Sequence, residues 1–153
     1  MLEIALVTPE IPQNTGSIAR LCAATGTGLH LIGQLGFAID DKHLKRAGLD
    51  YWSSVCMGVH QDLDAFLELM RNRPIYFMTR KAEKRYSEVV YSGNEVFVLG
   101  PESIGLSDDV LTRYASRLLS IPVRSQVRSL NLSAAAHVVV YHALEKLKFP
   151  FCP

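Results

Sequence analysis

The stretch Leu118-Leu119-Ser120-Ile121-Pro122-Val123-Arg124-Ser125-Gln126-Val127-Arg128-Ser129-Leu130-Asn131-Leu132-Ser133, followed by the apolar segment Ala134 to Leu144, reads as strand, loop and helix in succession. Leu118, Leu119 and Ile121 form a short apolar run that ends at Pro122, and proline lacks the amide donor a central strand needs. A polar loop with two arginines follows. The run Ser129-Leu130-Asn131-Leu132-Ser133 then opens a helix, since serine and asparagine oxygens accept hydrogen bonds from the free amides of a first turn. That end of a helix also attracts negative charge or a ligand's polar atoms.

Outward from this unit the same alternation recurs. Glu3 to Thr8 is a buried strand, closed by the loop Pro9-Glu10-Ile11-Pro12. Ile18, Leu21, Cys22 and Thr25 fall at the i, i+3, i+4, i+7 spacing of an amphipathic helix that ends at Gly26 or Gly28. Leu29 to Ile32 is a second strand, Asp40 to Ala47 a short charged helix stopped by Gly48, and Val55 to Val59 a strand. Leu63, Phe66, Leu67 and Met70 mark another helix; Ile75 to Met78 and Val96 to Leu99 are compact strands. Ser107 caps a helix whose first turn carries Asp108 and Asp109, as the helix dipole favours. Strands that are continuously apolar, alternating with helices, predict an α/β fold: a parallel sheet with helices on both faces. Ligands of such sheets sit at the carboxyl ends of strands, so chemistry is expected in the loops after Thr8, Met78, Leu99 and Ile121.

At 153 residues the chain is long enough for one domain with a sizeable core. Apolar residues make up 48% and charged ones 20%, and the net charge of +1 neither requires nor excludes nucleic acid, which needs only a local basic patch. No run approaches the roughly 20 apolar residues of a membrane span, and Met1-Leu2-Glu3-Ile4 lacks the basic start of a signal peptide. Cys22, Cys56 and Cys152 are odd in number and far apart, which points to reduced thiols in a cytoplasmic protein. The five histidines show no ligand pattern; His137 and His142 do not share a helix face, so no metal is expected. The glycines at 26, 28 and 33 also lack the dinucleotide-binding spacing.

Three segments carry chemistry. Asn14-Thr15-Gly16-Ser17-Ile18-Ala19-Arg20 follows the first strand, and Arg20 lies opposite the apolar stripe, facing away from the core. Leu99-Gly100-Pro101-Glu102-Ser103-Ile104-Gly105-Leu106 ends a strand in glycine, where a ligand can approach the backbone closely, and presents a carboxylate. The third is the opening stretch. Together, Asn14…Arg20, Gly100-Pro101-Glu102-x-x-Gly105-Leu106 and Ile121-Pro122…Ser129-Leu130-Asn131-Leu132-Ser133 resemble the three-motif signature of the SpoU branch of the SPOUT superfamily, RNA methyltransferases that modify the ribose 2′-hydroxyl. One departure is Ser17, where relatives often carry asparagine. The resemblance spans the chain. Lys45-Arg46-Ala47-Gly48-Leu49-Asp50-Tyr51, and the lack of an added RNA-binding domain, look like the minimal subfamily acting on cytidine or uridine 34, the tRNA wobble position.

The resemblance implies a deep trefoil knot at the C-terminal end, which periodicity alone could not suggest. It implies S-adenosylmethionine held by Met78, Thr79, Leu99, Gly100 and the stretch Ile121 through Leu130, with Val123 and Ser129 among them. It also implies a reacting centre of Arg20, Asn14, Glu102, Ser129 and Asn131; Tyr141 on the last helix is a further candidate, with a core tyrosine as the alternative. An arginine stays charged, its pKa above about 12, so Arg20 is expected to stabilise a developing alkoxide or to grip a neighbouring phosphate. Lys42, Lys45, Arg46, Arg80, Lys81, Lys84, Arg85, Arg124 and Arg128 are the cations available to RNA. The last helix is apolar nearly all round and rich in alanine, which predicts burial on more than one side and a homodimer through that region, as the family also implies. Ribosomal RNA as substrate, or a non-catalytic nucleotide- or RNA-binding role, are the alternatives.

Overall fold

A computed structural model of the protein describes residues 1–37 and 54–151. The short helix expected over Asp40–Ala47, the cations Lys42, Lys45 and Arg46, and Cys152 lie outside the described residues. The order is β1 Glu3–Val7, α1 Pro12–Thr25, β2 Gly28–Ile32, β3 Met57–His60, α2 Leu63–Leu69, β4 Ile75–Met78, β5 Val96–Leu99, α3 Asp108–Arg113, β6 Leu118–Leu119 and α4 Leu132–Lys146. Short 3-10 turns occupy Tyr86–Glu88 and Ala115–Arg117.

Every strand pairing is parallel, in the order β3-β2-β1-β5-β4-β6. Successive strand residues point to opposite faces, and both faces are covered. Ile4, Leu6, Leu29, Leu31, Phe97 and Leu99 pack with Ile18 and Leu21 of α1 and with Ala136, Val139, Val140 and Ala143 of α4. Ala5, Ile32, Phe77, Val96 and Val98 pack with Phe66 and Leu67 of α2 and Leu111 of α3. Burial on both sides is the reason the strands read as unbroken apolar runs.

Element ends follow local chemistry. Gly26, at φ 67°, closes α1 in the left-handed conformation, which glycine adopts without strain. Ser107 Oγ accepts from Val110 N at the start of α3. Asn131 caps α4, its Oδ1 accepting from Ser133 N and Ala134 N. Two boundaries and one burial pattern differ from the sequence reading. The strand expected at Val55–Val59 is Met57–His60, because its register against β2 pairs Leu29 with Met57 and Ile32 with His60. The strand expected to reach Ile121 stops at Leu119, and Ser120 makes an isolated bridge to Arg85 while its hydroxyl donates to Lys84 O. Helix α4 buries one broad face only; Ala134 and Tyr141 are exposed.

One polar cluster interrupts the α2 side of the sheet. The Glu3 carboxylate receives His30 Nε2 and Arg73 Nη1, and His30 Nδ1 lies 2.9 Å from His60 Nε2. Phe66 packs against both imidazoles, with ring centroids 5.0 and 4.9 Å away. Gly58 leaves room for the pair, since a Cβ there would meet His30 Nδ1 at 2.7 Å and His60 Nε2 at 2.8 Å. Burial alone would raise the pKa of Glu3, but bonds to His30 and Arg73 outweigh it and hold the carboxyl below its ordinary value. Burial, aided by the nearby His30 charge, lowers the pKa of His60.

Both shifts mean that the unfolded chain binds protons more readily than the folded one, so stability falls on acidification. The loss should begin as pH drops through about 6.5, the ordinary histidine value, and steepen below about 4.5, the ordinary carboxylate value. Urea midpoints measured from pH 8 to pH 4 should trace this decline, and Glu3→Gln should remove its lower part.

Candidate active site

At the carboxyl edge of the sheet the loops after β4, β5 and β6 meet the start of α1. They enclose a cavity of about 560 Å³, within the range of small-molecule sites. Its walls include Met78, Thr79, Leu99, Gly100, Ile121, Val123, Ser129 and Leu130, all named from the sequence as cofactor-binding. Asn14, Glu102 and Asn131 line it as well. Arg20 and Tyr141 do not: Arg20 is exposed on α1, and Tyr141 is 46% exposed on α4, near Phe149. The structure therefore separates these two from the other residues of the expected reacting centre.

The three motifs are joined by one carboxylate. Helix α1 starts at Pro12 after Ile11, which has no side chain able to cap it. Glu102, from the loop after β5, instead holds the two residues that lead into the helix: it accepts from Glu10 N at 2.8 Å, Ile11 N at 3.2 Å and Asn14 Nδ2 at 3.0 Å. An anion here is favoured by the helix dipole. Asn14 Oδ1 in turn accepts from Asn131 Nδ2 at 2.9 Å, so α1 and α4 share a side-chain relay that ends at Glu102. One turn further on, Ser133 Oγ donates to Ser17 Oγ at 2.6 Å. The serine at position 17 is thus the contact that continues the relay between the helices.

The loop holding Glu102 folds tightly on itself. A Cβ on Gly100 would meet Leu106 N at 2.4 Å and Gly105 C at 2.5 Å, and Gly105 has φ 70°. The glycine that lines the cavity thus also admits the returning backbone of its own loop.

Sequence reasoning missed a second set of bonds. Ser103 N and Oγ donate to the Glu10 carboxylate at 2.8 and 2.7 Å, lowering the pKa of Glu10. Arg128 Nη2 donates to Ser103 O at 2.6 Å, and Arg80 Nη1 to Arg128 O at 3.0 Å. The position of Glu10 after the first strand was the available signal. Two cations expected to meet RNA thus also brace loops. Arg80 and Lys81 border the cavity and, with Arg85 and Arg124, an adjoining groove of about 430 Å³. Lys81 also pairs with Asp108 at 2.7 Å on the surface. Cys22 is buried and its thiol is pushed up to about 12, too high for a nucleophile. Among the described residues no three His, Cys, Asp or Glu groups gather as a metal site.

A parallel α/β sheet with an apolar-walled cavity and a cationic border at its carboxyl edge has the site arrangement of a ligand-binding α/β protein. The chain belongs to the SpoU rRNA methylase family, whose model matches residues 1–141. It is 44% identical over 151 residues to the tRNA (cytidine(34)-2′-O)-methyltransferase of Escherichia coli K12, covering 98% of this chain and 96% of that one. A solved structure concerned with the 2-OH methylation of C/U34 on tRNA superimposes with a TM-score of 0.91 at 42% identity, covering 97% of both chains. The AdoMet-bound rRNA methyltransferase of Sinorhizobium meliloti shares the fold, with a TM-score of 0.85 at 24% identity; the match covers 95% of this chain and 56% of that one.

The Glu102 relay has a measurable weight. Glu102→Ala leaves the Glu10, Ile11 and Asn14 donors to water and should cost about 1–2 kcal/mol in urea unfolding. Glu102→Gln keeps one acceptor oxygen but turns its amide N–H2 onto donors the other oxygen served, so it should recover only part of that loss.

Proposed function

We propose that this chain methylates the ribose 2′-hydroxyl of the wobble nucleotide, cytidine or uridine 34, in tRNA. The observation that carries the reading is the match, across nearly its full length, to a relative of that named activity.

We assign S-adenosylmethionine to the cavity. The residues fit it: Met78, Leu99, Leu106 and Ile121 offer apolar walls for a flat base. When bound, this cofactor supplies an electrophilic methyl on sulfonium. The work left to the protein is to hold the hydroxyl in line with that methyl and to ease loss of its proton. Glu102, Asn14 and Asn131 form a rigid floor whose donors and acceptors are already paired with one another, so their role is to position. Ser129, exposed on the cavity wall, is the group we assign to ribose contact. Arg20 remains a cation, suited to stabilising an alkoxide or fixing a phosphate.

We propose a homodimer through the α1 and α4 layer, in which a second copy brings Arg20 and Tyr141 toward the cavity. The exposed Tyr141 and Ala134 of α4 support this, as does the distance of both functional side chains from the cavity of their own chain. We also propose the knot. Strand β6 lies at one sheet edge, whereas α4 packs on α1 over β1 and β2. The intervening segment must cross the ends of β4 and β5, where Arg80 and Ser103 hold Arg128.

Incubation with labelled cofactor and tRNA lacking the modification, followed by mapping of the methylated nucleotide, tests the function; label at any position other than 34, or only in ribosomal RNA, refutes it. Arg20→Ala should abolish transfer while cofactor affinity, read by calorimetry, stays within a few-fold. Mixing Arg20→Ala subunits with Ile121→Trp subunits, whose cavity is filled, should restore part of the activity. Binding of tRNA should weaken steeply with salt, and replacing Arg85 and Arg124 together by alanine should flatten that dependence, by a slope of about one for each phosphate left without its arginine.

A further inference from the structure

Large aliphatic side chains stand exposed around the mouth of the cavity: Ile104 is 79% exposed, Ile11 42% and Leu130 38%. They come from three separate loops, and those loops are clasped together. Ser103, next to Ile104, donates twice to Glu10, next to Ile11; Arg128, two residues before Leu130, donates to Ser103 O. The polar groups of the rim are thereby engaged with one another, and the aliphatic ones are left facing the opening. A single exposed aliphatic residue is ordinary. Several that converge on one cavity, on loops fixed by hydrogen bonds, make a built apolar surface of the kind that marks an interaction site.

The occupant follows from charge and depth, given the ribose-methylation reading on which this inference rests. A ribose at the mouth carries two anionic phosphates and one base with apolar faces. Arg80 and Lys81 line the same cavity, and Arg85 and Arg124 the adjoining groove, so the phosphates have cationic partners in the groove. The deep apolar walls, Leu99 and Leu106, are buried and serve the cofactor. What remains for the rim is the base. We propose that Ile11, Ile104 and Leu130 form a subsite that holds the nucleobase of the nucleotide being methylated, by apolar contact with its face. Such contact tolerates different bases, because each presents a similar face, so the subsite accepts cytosine and uracil alike.

A cycle of chemical and protein substitutions tests this. Affinities are measured for anticodon stem-loops bearing cytidine, or an abasic ribonucleotide with its 2′-hydroxyl intact, at the target position, with the wild-type protein and with Ile104→Ser. Removing the base should weaken wild-type binding about tenfold, and the penalty should shrink to about twofold in Ile104→Ser. Equal base penalties in the two proteins overturn the subsite. So does a drop of more than tenfold in the variant's cofactor affinity, which would make Ile104 a cofactor wall. Dissociation of the Ile104→Ser protein in light scattering would assign the rim to a second copy and also overturn it. The wild-type reaction on intact tRNA separates the two levels: methylation at the wobble ribose with equal base penalties sinks the subsite alone, and no methylation there sinks the functional reading with it.

Discussion

The Glu102 carboxylate sits where α1 begins, and the arrangement of the cavity depends on it. The helix opens on Ile11 and Pro12, so its own side chains cannot cap it. The amides just before it, those of Glu10 and Ile11, find their acceptor on a loop some ninety residues away, after β5. Placing the acceptor on another loop makes the start of α1 and the shape of the β5 loop one object. Because Asn14 bonds both Glu102 and Asn131, the start of α4 joins the same object.

That linkage makes sense of the sheet order. With β1 and β5 at the centre and β4 and β6 beyond, the loops that leave the carboxyl ends of β1 and β5 are neighbours. Sequence distance is large and spatial distance small, which is the condition for a site built from several segments. The bonds from Ser103 to Glu10 and from Arg128 to Ser103 repeat the logic nearer the surface. Each is exposed and individually weak; their value lies in fixing which side chains face the opening.

Much of the architecture was legible because two-sided burial writes itself into the strands. Val96-Phe97-Val98-Leu99 has no polar position and is buried throughout, and Ile4 and Leu6 share one face while Ala5 faces the other. The cavity walls were legible too, through motifs that follow strand ends. Pairing was not. Whether Val55 or Met57 begins β3 depends on register against β2, a long-range property with no local mark. Likewise the alanines and valines of α4 state that the helix is apolar, but not that one face stays uncovered by its own chain. The polar clasp escaped notice because Glu10 and Ser103 look like ordinary loop residues until folding brings them together.

The separation of Arg20 from the cavity is the most informative disagreement. Helical periodicity correctly set Arg20 opposite Ile18 and Leu21, which are buried while it is exposed. Periodicity gives a direction about one helix axis, however, and not the distance to a loop on another element. Asn14 and Arg20 belong to one motif, but their side chains serve different surfaces: Asn14 turns inward to the relay and Arg20 outward. A motif divided in this way is what the proposed homodimer needs, with one surface lining the cavity and one supplied by the partner copy. The relay through Glu102 ties the start of α1 to the cavity wall, so the outward face of that helix keeps a fixed position relative to it.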